Sequence, residues 1–276
     1  MSNDEAYTRT LGPVSALFLN ELHKKGKMIF ILDDAAEIYG KKRVETSKFL
    51  SDLISRGLIS RLKQCVYIIL QAGQEAIQLS NWPIIARELA KPDNYYLSYY
   101  SAMRIHGMTT HPLFDVYIAM PKRRRDRKIS NFTYHFIYSD PNHSWGHYAF
   151  WITKQEKIYI SDIERTLLDG LERPDLCGGI KEVIRGIWVK QKEIDWQKMR
   201  QYCEKFRTKA VVKKLGFILE VLNLGNDILS ELVKIIFNAK DYILLDPNGS
   251  KEGKRVSHWR VRVNINIEEI KASVWA

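Results

Sequence analysis

The chain has 276 residues, of which 45% are hydrophobic, and it carries a formal net charge of +11 at pH 7. This composition excludes an intrinsically disordered chain, because it supplies enough apolar side chains to fill the cores of two domains of ordinary size. The surplus of basic residues favours acidic partners, and nucleic acid is the first of these.

The termini, apolar runs and cysteines indicate the cellular compartment. The N-terminal stretch MSNDEAYT is acidic and polar, unlike a signal peptide. No apolar run approaches the roughly 18 residues that a membrane helix needs. Cys65, Cys177 and Cys203 are widely spaced and form no CxxC pair, so we expect free thiols rather than a disulfide framework or a structural zinc site. We expect a cytoplasmic protein with no membrane segment.

Two helices are predicted first. The helical spacing of Val14, Leu17, Phe18 and Leu22 predicts a buried face on a helix that ends at Gly26. The segment 32–40 predicts a short second helix. Asp33 is its expected N-cap, and Gly40 is expected to end it in a left-handed turn.

A third helix and a hairpin follow. Thr46, Leu50 and Leu53 are expected to share a buried face of the third helix, which closes at Gly57. The segment 60–70 predicts two strands of a small wing. Two short helices joined by a tight turn that contains glycine are a helix-turn-helix, and the pattern over 47–59 resembles the recognition helix of bacterial and archaeal winged-helix regulators.

Basic residues gather where such a helix would meet DNA. Its N-terminal end enters the major groove, and the helix dipole and free N–H groups there favour phosphate. The wing lies within reach of flanking phosphates. The alternative is a winged helix used only for protein interaction. The candidate DNA-binding residues are Lys41, Lys42, Arg43, Ser47 and Lys48 on the helix, and Arg61, Lys63 and Gln64 on the wing.

The remainder of the chain has a different pattern. The stretch 71–94 predicts a helical connection interrupted at Pro83 and Pro92, and a domain boundary is expected near residue 80, dividing the chain into 1–80 and 81–276. Strands followed by a run of helices favour an α+β fold. The predicted helices lie at 95–107, 161–172, 178–190, 195–206 and 209–239, and the predicted strands at 115–120, 131–140, 147–153, 157–160 and 258–265.

Several segments of the second module carry a family resemblance. The segment LSYYSAMRIHGMTTHP is followed by a strand that ends at Pro121 and by a basic stretch. The later segment ISDIERTLLDGLERPDLCGGIKEVIRGI contains the most specific element, ERTLLD followed by RPDLCGG. Together these resemble the AbiEi family of antitoxins and transcriptional regulators of type IV toxin–antitoxin systems. The resemblance implies operator DNA and a nucleotidyltransferase-like toxin as partners, and an antitoxin role for residues 81–276.

A metal-dependent nuclease is the alternative from another class, with Asp162, Glu164 and Asp169 as metal ligands. The same residues have a structural explanation. Ser161 or Asp162 is a natural N-cap, acidic residues in a first helical turn favour the dipole, and Arg165 and Asp169 are spaced to pair along one helix. We therefore expect no catalytic residue, no metal site, no cofactor and no enzymatic activity.

The stretch PKRRRDRK lies between two predicted strands. One interpretation is a charged turn that keeps a strand edge from pairing with a neighbour. The other is a second contact with DNA or with the toxin. A third reading of the whole protein, a ligand-sensing transcription factor, would place the aromatic residues of 95–100 and 132–138 around a pocket rather than in the core. The basic residues concerned are Lys122, Arg123, Arg124, Arg125, Arg127 and Lys128.

Overall fold

The computed structural model of the chain describes residues 11–70, 82–129, 131–152 and 156–269. It has an α+β fold, as the pattern of elements predicted. The chain divides into two compact units, one formed by 1–91 with 128–132 and the other by 92–127 with 133–276. Within the described ranges, no helix is both long enough and apolar enough to span a membrane.

The first unit is a winged helix. Three strands form an antiparallel sheet in the order β1-β3-β2, in which Ile29 pairs with Ile68 and Ile59 pairs with Ile69. The strand β1 was not predicted from the sequence. The elements are α1 (Pro13–Lys24), β1 (Ile29–Ile31), α2 (Leu32–Tyr39), α3 (Arg43–Ser55), β2 (Ile59–Lys63), β3 (Val66–Ile69) and α4 (Trp82–Ala90).

Two local predictions for the first unit are wrong. Phe18 and Leu22 are buried as predicted, but Val14 and Leu17 are exposed, and Ser15 and Leu19 are buried in their place, because the core contacts the adjacent stripe of α1. The N-cap of α2 is Ile31 rather than Asp33, and the side chain that accepts the N–H of Ile31 belongs to Asp34.

Other local predictions are confirmed. Gly40 ends α2 with a φ of 68°, and Gly57 follows α3 with a φ of 63°. Both angles lie in the left-handed region that glycine adopts without steric cost. Thr46, Leu50 and Leu53 are the buried residues of α3. The two turns therefore set the spacing of α2, α3 and the wing.

The division between the two units follows α4. Part of the predicted connecting stretch, 71–81, lies outside the described residues. Beyond it, α4 belongs to the first unit, and the division falls between Lys91 and Pro92 rather than near residue 80. Pro83 does not interrupt a helix, because it lies in the first turn of α4, where no intrahelical N–H bond is lost.

A six-stranded sheet, most of whose residues belong to the second unit, has the strand order β6-β7-β5-β4-β9-β8. The pairs β5–β7 and β4–β9 are parallel, whereas β4–β5 and β8–β9 are antiparallel. Phe132, Tyr134 and Phe136 are buried on one face of β7. The strands are β4 (Tyr96–Leu97), β5 (Asp115–Met120), β6 (Arg127–Ile129), β7 (Phe132–Tyr138), β8 (His147–Trp151) and β9 (Lys157–Ser161).

The helices of the second unit enclose its largest core, together with a small sheet in the order β10-β12-β11. The predicted helix 209–239 is two helices, because Asn223 and Gly225 adopt left-handed backbone angles that end one helix and begin the next. The elements are α5 (Tyr99–Ile105), α6 (Ile163–Glu172), α7 (Ile180–Lys190), α8 (Trp196–Lys205), α9 (Lys209–Leu222), α10 (Asn226–Ile235), β10 (Ile243–Leu244), β11 (Lys254–Val256) and β12 (Val261–Val263).

Candidate functional site

The N-terminal end of α3 has the properties of a phosphate-binding helix start. The N-cap residue, Lys42, has an extended backbone, and no side chain caps the helix there. The hydroxyl of Thr46 donates to the carbonyl oxygen of Lys42 at 3.1 Å and so holds the turn from inside. The first N–H groups of the helix are consequently not capped by a side chain, and the dipole favours an anion at this end.

One face of α3 lines an open groove on the surface of the first unit. It includes Arg43, Ser47 and Lys48, three of the predicted residues, and brings them together with Val44 and Ser51, which sequence reasoning missed. Val44 is 70% exposed, which is unusual for a valine on a helix. The helical spacing of 43, 44, 47, 48 and 51 was the signal that could have identified this face.

The charges around this face are accessible. Lys41, Lys42 and Lys48 are exposed. Arg43 forms an ion pair of 2.6 Å with Asp33, and both side chains remain more than half exposed. An ion pair so exposed contributes little stability, so Arg43 can exchange Asp33 for a phosphate at small cost.

Of the three DNA-binding residues predicted on the wing, two are exposed and one is bound to α4. Arg61 and Gln64 are exposed on β2 and the wing turn. Lys63 is half-buried, and its ammonium donates to the carbonyl oxygen of Glu88 at 2.6 Å near the C-terminal end of α4. A cation at this position is favoured by the helix dipole. Lys63 is therefore engaged within the first unit and does not extend the basic surface.

The basic stretch of the second unit is partly neutralised by its own neighbours. The ammonium of Lys122 and the guanidinium of Arg124 lie 2.7 Å and 2.5 Å from the carboxylate of Asp93. Hydrogen bonds from these two cations lower the pKa of Asp93. Arg123 is exposed and lies over the ring of Tyr138 at 5.7 Å from its centroid. The first half of the stretch is thus anchored.

A histidine anchors the second half. The ring nitrogens of His135 lie 2.6 Å from Asp126 and 2.9 Å from Asp115. Carboxylates only accept, so two such hydrogen bonds require both ring nitrogens to carry a proton. Burial acts to lower the pKa of His135, but the two carboxylates outweigh it and the pKa is raised. The stretch is thereby tied to β5 and β7 by a charged imidazolium.

Two further cations of the stretch point to solvent. Arg125 and Lys128 are exposed, and neither has an ion-pair partner in the part of the chain that the structure describes. Arg127 and Lys128 lie on β6, which is one of the two edge strands of the six-stranded sheet. Charged side chains on such an edge discourage pairing with another strand. The expected edge protection therefore fits this position, and the charges of Arg125 and Lys128 remain available to a partner.

The carboxylates considered as metal ligands are held by protein groups. Asp162 is the N-cap of α6 and accepts the N–H of Arg165 at 2.8 Å, as predicted. Lys198 lies 3.1 Å from Asp162 and 2.7 Å from Glu164. Asp169 forms the predicted ion pair with Arg165 at 2.8 Å, although burial raises the pKa of Asp169 to about 6. Each carboxylate thus has a partner that offsets its burial.

The aromatic segments serve mainly as core. Tyr95 is buried, as are Phe132, Tyr134 and Phe136 of β7. Three other aromatic residues of these segments, Tyr96, Tyr99 and Tyr138, also line a cavity of about 450 Å³ in the second unit. Sequence reasoning considered one pocket for these segments, and the structure places these three tyrosines around this cavity and Tyr100 in a separate, smaller one.

Comparison with known proteins defines the fold and leaves the function open. No family model matches the sequence, and no curated protein matches it. The structure is similar to the crystal structure of the RV2827C protein from Mycobacterium tuberculosis, with a TM-score of 0.72 and 12% sequence identity over 97% of each chain. At this identity the similarity establishes the α+β fold alone.

Proposed function

We propose that this protein is a DNA-binding antitoxin and autorepressor of the AbiEi type, which acts without catalysis. The first unit binds operator DNA through α3 and the exposed wing residues. The second unit neutralises a nucleotidyltransferase-like toxin. Binding to operator DNA places the protein in the cytoplasm, together with the operon that it represses.

The observation that carries this proposal is the surface of α3. It combines a helix start without a side-chain cap, exposed Lys41, Lys42 and Lys48, and the open groove lined by Arg43, Ser47 and Ser51. In winged-helix proteins the second helix of the helix-turn-helix enters the major groove and presents its N-terminal residues. Phosphate contacts then position the protein, and side chains of the groove read base edges.

The DNA-binding part is tested with Lys42→Ala combined with Lys48→Ala. Both side chains are exposed, so the fold should be retained, while two phosphate contacts are lost. Each lost contact lowers the slope of log Kd against log salt concentration by about one unit. The measurement is a salt series of binding to the region upstream of the gene, and the matched control is Lys24→Ala with Lys25→Ala, which removes the same charge from the end of α1. Equal binding by both double variants would exclude α3 as the DNA-reading helix.

The role of the basic stretch is tested with its outward cations. Arg125→Glu with Lys128→Glu reverses two charges without touching the ion pairs to Asp93. Against an acidic toxin surface, the resulting like-charge contact costs several kcal/mol. Loss of toxin suppression with intact operator binding would assign the stretch to the toxin. Weakened, less salt-dependent operator binding would assign it to DNA. Retention of both activities would identify a solvated turn.

The antitoxin part is tested by co-expression with the product of the neighbouring gene. If that gene encodes a nucleotidyltransferase-like protein, its toxicity should disappear when this chain is present. Suppression should survive the Lys42→Ala and Lys48→Ala changes, because the proposal assigns the toxin to the other unit. A neighbouring product that is not toxic, or whose toxicity this chain does not relieve, would exclude the antitoxin assignment.

A further inference from the structure

The cavity of about 450 Å³ lies wholly within the second unit and has no part in the proposed function. Its wall includes residues of β4, α5, β5, β7 and α6, together with Phe206, which follows α8. Its size falls within the range of small-molecule sites in proteins, roughly 300–1,000 Å³. The motif ERTLLD contributes Arg165 and Asp169 to the lining. The motif that carries the most specific part of the family resemblance therefore contributes two side chains to the wall of the cavity.

Aromatic rings form much of the wall. The aromatic residues of the lining are Tyr96, Tyr99, Tyr138, Trp145 and Phe206. The guanidinium of Arg165 lies 4.2 Å from the centroid of Trp145 and 5.3 Å from that of Phe206, so these two rings already hold a cation. Tyr96 stacks on His147 at 4.9 Å between ring centroids, and the guanidinium of Arg123 lies over the ring of Tyr138. A planar ligand can therefore stack on Tyr99 and on the remaining faces of the other two tyrosines.

Tyr99 has two features that point to the cavity. Its φ is 51°, in the left-handed region that bulky residues rarely adopt and that clusters at ligand-binding positions. The side chain is largely buried, and its hydroxyl has no hydrogen-bond partner among the described residues. A hydroxyl in this position can donate to, or accept from, a molecule in the cavity.

The charges of the lining cancel. Arg165 is paired with Asp169, and Arg207 with Glu172 at 2.9 Å. Arg173 binds Asp175, which lies beside the lining, at 2.6 Å. The remaining lining carboxylate, Asp140, accepts the backbone N–H of Asn142 at 2.9 Å. An anionic ligand would have to displace a carboxylate from one of these pairs, and a cationic ligand would have to displace an arginine or compete with this N–H for Asp140. An uncharged ligand can instead use the free edges of the paired groups as donors and acceptors.

From the planar stacking surfaces, the unpartnered hydroxyl and the neutral, polar lining, we infer that this cavity binds an uncharged planar heteroaromatic molecule of the nucleoside type. The ring lies against the tyrosines, and its polar edge bonds to the Tyr99 hydroxyl and to the arginine–carboxylate pairs. The site is a second function of the chain, independent of the DNA-binding surface of α3.

The test is isothermal titration of the full-length protein with adenosine, inosine, cytidine and uridine, and separately with inorganic phosphate. Two variants probe the wall. Tyr138→Ala removes an exposed stacking surface, and Tyr99→Phe removes only the hydroxyl. The matched control is Tyr148→Ala, since Tyr148 is similarly exposed on β8 and does not line the cavity. Circular dichroism and the melting temperature check that each variant is folded.

We expect at least one nucleoside to bind with one-to-one stoichiometry. Tyr138→Ala should weaken that binding roughly 10-fold, as loss of one stacking contact does. Tyr99→Phe should weaken it about fivefold, the effect of one hydrogen bond. Tyr148→Ala should leave it unchanged.

Three results would overturn the inference. The first is the absence of binding by all four nucleosides at millimolar concentration. The second is binding that neither cavity variant weakens, since the molecule would then sit elsewhere. The third is binding of inorganic phosphate that competes with the nucleoside, which would show that the site selects an anion.

Discussion

The glycine in the middle of α9 offers a stability test that depends on tertiary packing. A Cβ atom added at Gly216 would lie 2.1 Å from Cζ3 and 2.4 Å from Cη2 of Trp259. Trp259 is 1% exposed, and its indole N–H donates to the carboxylate of Glu220 at 2.6 Å. The ring is held by the core on its sides and by this hydrogen bond at its edge, so it cannot move away freely.

Three free-energy contributions decide whether Gly216→Ala stabilises or destabilises the second unit. Replacing glycine with alanine inside a helix stabilises by about 1 kcal/mol. Overpacking a core costs about 1–3 kcal/mol. Displacement of the indole also weakens a hydrogen bond to a charged group, worth about 1.5–3 kcal/mol. We therefore expect the free energy of unfolding of the second unit to fall by about 2–4 kcal/mol.

The measurement is guanidinium denaturation followed by tryptophan fluorescence and by circular dichroism. Gly186→Ala in α7 is the matched control, because its nearest neighbour is the flexible end of Met103 at 3.2 Å. At Gly186 the gain in helix propensity should offset the cost of the close contact with Met103. The free energy of unfolding should therefore change by less than about 1 kcal/mol. If Gly216→Ala proved as stable as the parent protein or more stable, the steric reasoning would be refuted.

Two further predictions concern titration and reactivity. The two carboxylates raise the pKa of His135, so NMR titration should give a value above the usual 6.5, and Asp126→Asn should lower it. Because the folded-state pKa is the higher one, the stabilisation is full below pH 6.5 and disappears as the pH rises through the folded-state pKa; a pKa at or below 6.5 would refute the bridging arrangement. Cys65 is half-buried, whereas Cys177 and Cys203 are buried, and burial raises the pKa of both buried thiols. The thiol of Cys65 should therefore react rapidly with a maleimide, and the other two only on unfolding. Fast reaction of two or three thiols in the native protein would contradict this.

Several features of the fold could be predicted from the sequence because they depend on residues a few positions apart. Gly40 and Gly57 supply left-handed angles at helix ends, and Asp162 reaches the N–H of a residue three positions later. Arg165 and Asp169 meet because a helix brings positions four apart together. The helix-turn-helix and the helix α6 were predictable for this reason.

Other features depend on partners that lie far apart in the chain. Asp93 neutralises Lys122, Lys63 reaches the end of α4, and the aromatic wall of the cavity joins Tyr96 to Phe206. The spacing of these residues in the sequence does not predict their contacts, because only the folded backbone brings them within a few ångströms of each other. The exposed face of α1 shows the same dependence, because the helical period permits two apolar stripes and only the packing of the first unit selects the buried one. The ends of helices and the pairs along them could therefore be predicted from the sequence. Which basic residues are held by neighbouring groups and which point to solvent was decided by long-range packing.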